Sequence, residues 1–248
     1  MSDQTRDYRT KWEQFARLLQ TQDSLASERR GWRRWLLLPY IAFVLPIEDP
    51  AVISQIAAWQ QAFLSRLNYD PQPLDRLHIT LHYVGLLRRK PWLLLPNSWR
   101  KSALPQLAER ARSAIESCSV FEVKLGPLNA FPNVLFAEVQ DERECLRRFR
   151  LRLRRVLPLQ ARPPLQWTYL PHLSLGYWGR QAAAPLVDIL RPYRHIEPIP
   201  LRITSVKLTV YYRDTAPLGR ELLTGAAEEV IAEFHLNEGE SGDGSSSC

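Results

Sequence analysis

Two short stretches pair a histidine with a hydroxyl two residues later: His78 with Thr80 in "DRLHITLHYVG", residues 75–85, and His172 with Ser174 in "LPHLSLGYWG", residues 170–179. Imidazole exchanges its proton near neutrality, so two of them can divide the work of general acid and general base. Hydroxyls donate to oxygens on which negative charge builds. In an extended strand, residues i and i+2 share a face. His78 and Thr80 then point one way while Ile79 and Leu81 point the other, and the second phrase behaves likewise. One such match is common by chance. The weight lies in its recurrence among five histidines, each time in an apolar run followed by glycine. By the same alternation His82 joins the His78 face and is read as an accessory substrate contact. His195 and His235 lack the phrase and are read as surface or packing residues.

The elements around these phrases alternate in two similar rounds. Tyr8, Trp12, Phe15 and Leu19 fall at helical spacing within residues 5–19. "WLLLPYIAFVLP", residues 35–46, reads as a buried strand, and a helix capped by Asp49 with Pro50 in its first turn runs to about Leu67. Residues 86–102 match no period and read as a loop. A helix from Leu104 to Ser117 precedes two strands joined through Asn129–Asn133, then an arginine-rich helix over 141–157. The second phrase, a short helix at 183–191 and a long strand at 201–214 complete the second round. This order predicts an α+β fold with mixed sheets and an internal duplication, each half contributing one histidine strand. The domain reading is a helical extension over 1–34, one bilobal domain over 35–236 and a disordered tail over 237–248.

Composition narrows the class. The 248 residues are 45% apolar and 24% charged, as in soluble globular proteins, and 33 basic against 26 acidic side chains give a formal +7 that favours anionic partners. Cys118, Cys145 and Cys248 are odd in number and far apart, which predicts neither a disulfide framework nor a zinc site and fits a reducing cytoplasm. The longest apolar run, 35–46, is too short and too proline-broken to span a bilayer, and the polar segment ahead of it is no secretory signal. No membrane partner, metal or cofactor is expected, and a monomer is.

"LHITLHYVG" and "PHLSL" resemble the two motifs of the two-histidine (2H) phosphoesterase superfamily, within it the LigT-like 2′,5′ RNA ligase or cyclic phosphodiesterase group. The resemblance runs from about Trp35 to Leu223. It implies a duplicated two-lobed fold with a central cleft between two antiparallel sheets flanked by helices. His78 and His172 are the implied catalytic pair, and Thr80 and Ser174 the implied phosphate-binding hydroxyls. Tyr177 stands where many members carry a basic residue, with Arg180 beyond. The implied activity is metal-independent hydrolysis of an RNA-related phosphodiester, foremost a 2′,3′-cyclic phosphate end on RNA or on a small nucleotide. In the reaction giving a 2′-phosphate, the first-motif histidine protonates the leaving oxygen and the second activates water. Four alternatives remain open: 2′,5′ ligation, 3′-end exonuclease trimming, hydrolysis of a small cyclic nucleotide, and a non-catalytic RNA-binding module.

Two further features bear on a substrate. "RECLRRFRLRLRR", residues 143–155, sets seven arginines around Leu146, Phe149 and Leu153, giving one buried and one basic helix face. That face is read as solvated in the first instance and as an RNA-backbone surface in the second. Trp167 and Tyr169, just before the second motif, could stack on a base.

Overall fold

The computed structural model describes residues 3–21, 24–25, 39–88, 97–132, 134–161, 169–178, 181–182, 184–212 and 227–238. Among them the elements run, in chain order, α1 (Asp3–Thr21), β1 (Ser24–Leu25), β2 (Tyr40–Pro46), α2 (Pro50–Leu64), β3 (Tyr69–Pro71), β4 (His78–Leu87), β5 (Ser98–Trp99) and α3 (Leu104–Glu116). Then follow β6 (Phe121–Phe131), β7 (Val134–Gln140), α4 (Cys145–Val156), β8 (His172–Trp178), β9 (Gln181–Ala182), α5 (Ala184–Leu190), β10 (Ile199–Ile203), β11 (Ser205–Tyr212) and β12 (Ala227–His235). Trp167, Arg180, most of the tail and residues 89–96 lie outside the described residues.

Local chemistry sets the helix ends. Ala51 N–H and Val52 N–H donate to Asp49 Oδ1 at 2.8 and 3.3 Å, while Pro50 has no donor to satisfy, so α2 starts where its sequence predicts. It stops at Leu64, one turn short of expectation. The arginine helix starts later than expected, at Cys145. Asp141, outside the helix, accepts from Cys145 N–H and Leu146 N–H at 2.8 Å each across a turn in which Glu144 takes a left-handed φ of 54°.

The large sheet runs antiparallel in the order β10-β6-β7-β8-β4-β2-β11-β12, with β3 added antiparallel beside β8 and β5 parallel beside β4. It divides into two four-stranded halves that meet in one backbone pair, Ile79 with Leu173. The α+β duplicated architecture with two lobes is therefore the observed one. Two strand expectations change. Asn129 lies inside β6, opposite Phe136, so the β6–β7 turn falls later, at Pro132. The single strand expected over 201–214 is two: the chain leaves one lobe as β10, crosses at Thr204 and enters the other as β11. That crossing is bound on its far side, where Leu236 N–H donates to Thr204 O (2.8 Å), Val120 N–H to Asn237 O (2.9 Å) and Asn237 N–H to Cys118 O (3.0 Å).

Behind the sheet lies one contiguous apolar core. Strand residues Phe43, Leu45, Ile79 and Leu81 join Leu135, Leu173 and Leu175, and helices contribute Ile56 and Phe63 from α2, Leu104 and Ile115 from α3, and Leu146, Phe149 and Leu153 from α4. Each such side chain removed from water contributes on the order of 1.5–3 kcal/mol. No described helix is long and apolar enough to cross a membrane.

Candidate active site

The two histidine strands share a local irregularity. In β4 Thr80 pairs with Val44 but His82 pairs with Phe43, leaving Leu81 as an extra residue; in β8 Ser174 pairs with Phe136 but Gly176 with Leu135, leaving Leu175 extra. Residues directly opposite on an antiparallel pair share a face. Each bulge therefore puts two consecutive residues on the core side, and the alternation restarts one residue late. His82 follows Phe43 into the core, where it is 1% exposed and its Nε2 lies 2.7 Å from Ala161 O. Simple alternation placed it with His78; the bulge turns it to the opposite face, away from any ligand there. The residue that rejoins the His78 face is Tyr83, opposite Ala42, and its counterpart is Tyr177, opposite Val134.

Gly176 occupies the place matching His82. A Cβ there would stand 2.5 Å from both Asp70 O and the Tyr69 ring. The bulged Leu175 carbonyl is held by three donors: Gln72 N–H (2.9 Å), Gln60 Nε2 (2.7 Å) and Tyr69 Oη (2.6 Å). A buried carbonyl displaced from its ladder is thus fully satisfied.

Around the Ile79–Leu173 pair the antiparallel register projects His78 toward Ser174 and Thr80 toward His172, so the four polar side chains occupy one face about a local twofold. Both histidines are fixed alike. His78 Nδ1 lies 3.0 Å from Arg76 O and His172 Nδ1 lies 2.8 Å from Leu170 O, in each case the carbonyl two residues earlier. A carbonyl only accepts, so Nδ1 carries the hydrogen and Nε2 is the atom left to exchange protons. Neither Nε2, nor the Thr80 and Ser174 hydroxyls, takes a partner among the described residues.

Burial disfavours the imidazolium at both positions. It draws His78 down from 6.5 to about 4, against the opposing Arg76 carbonyl, and nearby His172 adds to the depression. His172 is lowered for the same first reason, with the Leu170 carbonyl opposing.

Aromatic rings wall the site on both sides. His78 lies 4.9 Å from Tyr211, which stacks on Tyr40 at 4.8 Å, and Tyr83 follows at 6.4 Å. On the other lobe His172 meets Phe131 and Phe136 edge-on at 5.2 and 5.3 Å. Opposite His172 on β7 is Glu138, 5% exposed, bound by Asn129 Nδ2 (2.7 Å) and Arg194 Nη1 (2.5 Å). Sequence reasoning missed Tyr83, Tyr211 and Glu138. For Tyr83 a signal existed, since both phrases read His-x-hydroxyl-Leu-x-Tyr.

Tyr169 is occupied structurally. Its hydroxyl donates to Thr80 O (3.2 Å) and the Arg150 guanidinium covers its ring at 4.2 Å, so it ties the approach to β8 onto β4. Two further arginines of the arginine helix are engaged, Arg148 with Arg143 O and Arg152 with Ser117 O and Cys118 Sγ, while Arg143, Arg147 and Arg155 are exposed. Arg150→Ala removes the cover from Tyr169. About 1 kcal/mol of stability is expected to go with it, read in thermal melts, together with a several-fold fall in turnover. Among the described residues no three His, Cys, Asp or Glu side chains cluster as metal ligands.

Residues 48–215 match the family model of the 2′-5′ RNA ligase superfamily. The chain belongs to that superfamily. Its fold is similar to that of TT0787 of Thermus thermophilus, with a TM-score of 0.54 at 16% identity over 81% of this chain and 99% of that one. It is likewise similar to E. coli LigT in apo form and complexed with 3′-AMP. Those TM-scores are both 0.51, at 16% and 17% identity, covering 80% of this chain and 98% of LigT. No curated protein matches the sequence. Membership in the 2′-5′ RNA ligase superfamily supports an activity of phosphodiesterase or RNA-ligase type.

Proposed function

We propose that the protein is a metal-independent phosphodiesterase that opens 2′,3′-cyclic phosphate ends of RNA or of small nucleotides, with His78 as general acid and His172 as general base. The observation carrying this reading is the matched pair of imidazoles on one face with two hydroxyls, each Nδ1 anchored to a carbonyl and neither Nε2 nor either hydroxyl partnered among the described residues. That the LigT fold has been solved with 3′-AMP and with NADP+ is in keeping with a nucleotide phosphate as ligand.

The chemistry follows from these groups. Neutral His172 takes a proton from water at Nε2 as the oxygen attacks phosphorus. Protonated His78 gives one to the departing ribose 3′-oxygen, leaving a 2′-phosphate. Thr80 and Ser174 hydroxyls donate to the nonbridging oxygens as their charge grows. The two histidines end with protonation states exchanged, and solvent resets them.

Burial shifts the pH dependence. Two unperturbed imidazoles would give a bell centred on neutrality. In the free protein the acid, His78, is protonated only toward pH 4, so kcat/KM is expected to rise as pH falls from about 8 toward 5, until protonation of His172 removes the base. A bound phosphodiester anion favours the imidazolium and so keeps kcat high to higher pH. Initial rates from about pH 4 to 9 check this, and a kcat/KM optimum at or above neutrality would contradict it.

The deciding experiment incubates the purified protein with 2′,3′-cyclic nucleotides and cyclic-ended oligonucleotides in EDTA, and resolves the products as 2′- or 3′-phosphates. Turnover to the 2′-phosphate is expected. Binding without product over hours points to a non-catalytic RNA module, and activity that needs an added divalent ion excludes the mechanism.

A further inference from the structure

We infer that Tyr8, carried by the N-terminal helix α1, is a positioning residue for His172, so that a segment outside the family-matched region belongs to the active-site machinery. The inference rests on the reading of His172 as a proton-transfer group.

Helix α1 ends before residue 48, where the superfamily match begins. It packs on β6 and β7. Tyr8 is 2% exposed, its ring 6.4 Å from Phe136, which itself lies against His172. Its hydroxyl accepts from Val139 N–H (3.0 Å) and Gln4 Nε2 (3.4 Å), and its single hydrogen is shared between the carbonyls of Pro171 and Val139. Pro171 immediately precedes His172, and the carbonyl before it, Leu170 O, is the one that holds His172 Nδ1.

The first lobe holds the matching position differently. There Leu77 precedes His78 and its carbonyl accepts from Ile47 N–H at 3.0 Å, a backbone bond to residues just beyond β2. In the second lobe the Pro171 carbonyl gets its donor from a side chain on a separate helix. The sheet supplies the anchor for one histidine; an added segment supplies it for the other.

Other bonds clamp the helix to the same spot. Asn129 Nδ2 donates to Tyr8 O (3.0 Å) and to Glu138, Gln4 Nε2 donates to Val139 O (2.6 Å), and Arg194 lies over the Trp12 ring at 5.2 Å. Helix α1 is thus docked on the part of β7 that stands opposite His172. Without the Tyr8 hydroxyl the Leu170–Pro171 segment loses its tie and can tilt, which lengthens the bond from Nδ1 to Leu170 O. That bond favours the imidazolium, so weakening it lowers the affinity of His172 for its proton and misaligns Nε2.

The test is Tyr8→Phe in the full chain, which keeps the ring and removes only the hydroxyl. The first readout is NMR titration of the His172 and His78 ring protons, which needs no substrate. The charged and titratable groups facing His172 are His78 from β4, Glu138 from β7 and Arg194 behind it, and all are unchanged in this variant. The expected result is a His172 midpoint lower by about half a pH unit with that of His78 unmoved. A kcat about tenfold lower at unchanged KM is expected alongside it. Leu19→Ala serves as the second variant: it removes a buried apolar contact of the same helix about three turns from Tyr8 and should leave the His172 midpoint in place. An unchanged His172 midpoint in Tyr8→Phe, an equal shift of both histidines, or an equal shift in Leu19→Ala overturns the inference. Wild-type protein that turns over no cyclic phosphate defeats the catalytic reading alone, since the titrations still decide the positioning.

Discussion

Asparagine at His172 or at His78 is expected to lower turnover of a 2′,3′-cyclic nucleotide by about three orders of magnitude, within the range of a lost acid or base. Asparagine is the informative replacement because its side-chain amide can still donate to the Leu170 or Arg76 carbonyl that fixes each ring. The strand geometry then survives while proton exchange at Nε2 is gone. In the proposed mechanism both groups act in one transition state, so the double variant is expected to fall little below either single one. KM is expected to move less than kcat, because the proposed phosphate donors Thr80 and Ser174 are unchanged. Steady-state rates and far-UV circular dichroism measured together decide the matter. A folded single variant retaining about a tenth or more of wild-type turnover rejects the assignment of that histidine.

Arg194→Ala is expected to be the most damaging single change to stability outside the apolar core, at about 3 kcal/mol, because it strands a buried carboxylate. Glu138 and Arg194 side chains are 7% and 15% exposed and 2.5 Å apart, and among the described residues the other partner of Glu138 is Asn129. Burial already raises the Glu138 pKa above its usual 4.5, with Arg194 the main opposing influence. In the variant that opposition is absent and the pKa rises further. A carboxyl with a raised folded-state pKa costs stability above its unfolded pKa, and the cost fades as pH falls toward about 4.5. Thermal melts should therefore show a midpoint lower by roughly 6–12 °C at pH 7, a smaller gap at about pH 5, and partial recovery in Arg194→Ala/Glu138→Gln. A gap independent of pH would mean that the lost stability is packing against Trp12 rather than charge.

Much of this was legible in the sequence for local reasons. Asp49 and Pro50 announce a helix start through chemistry contained in a few neighbouring residues, and the α3 and α4 stripes at helical spacing name their own buried faces. The histidine phrases are legible because both state one face pattern twice. What was not legible depends on partners far along the chain. His82 obeys strand alternation on paper, and only the pairing of β4 with β2 shows that Leu81 is an extra residue that resets it. Likewise nothing near Tyr8 announces that its hydroxyl meets Pro171, 163 residues away. Thr204 reads as the middle of one strand because residues on both sides favour strands; the break appears only when the two halves take different neighbours. The arginines of α4 look alike in sequence, and only the structure separates Arg148, Arg150 and Arg152, which meet carbonyls, a thiol and a tyrosine ring, from the exposed Arg147 and Arg155.

The crossing at Thr204 has a mechanical side. One edge joins the lobes through Ile79 and Leu173, and the opposite edge is tied where Thr204, Leu236, Asn237 and Cys118 exchange backbone hydrogen bonds. A clamshell needs one free edge, and here both are tied, so the pair of sheets behaves as a truss. Its two imidazoles are held at a set span whether or not anything lies between them. On the proposed function, discrimination among ligands then falls to the rings beside the two histidines rather than to a swing of one lobe against the other.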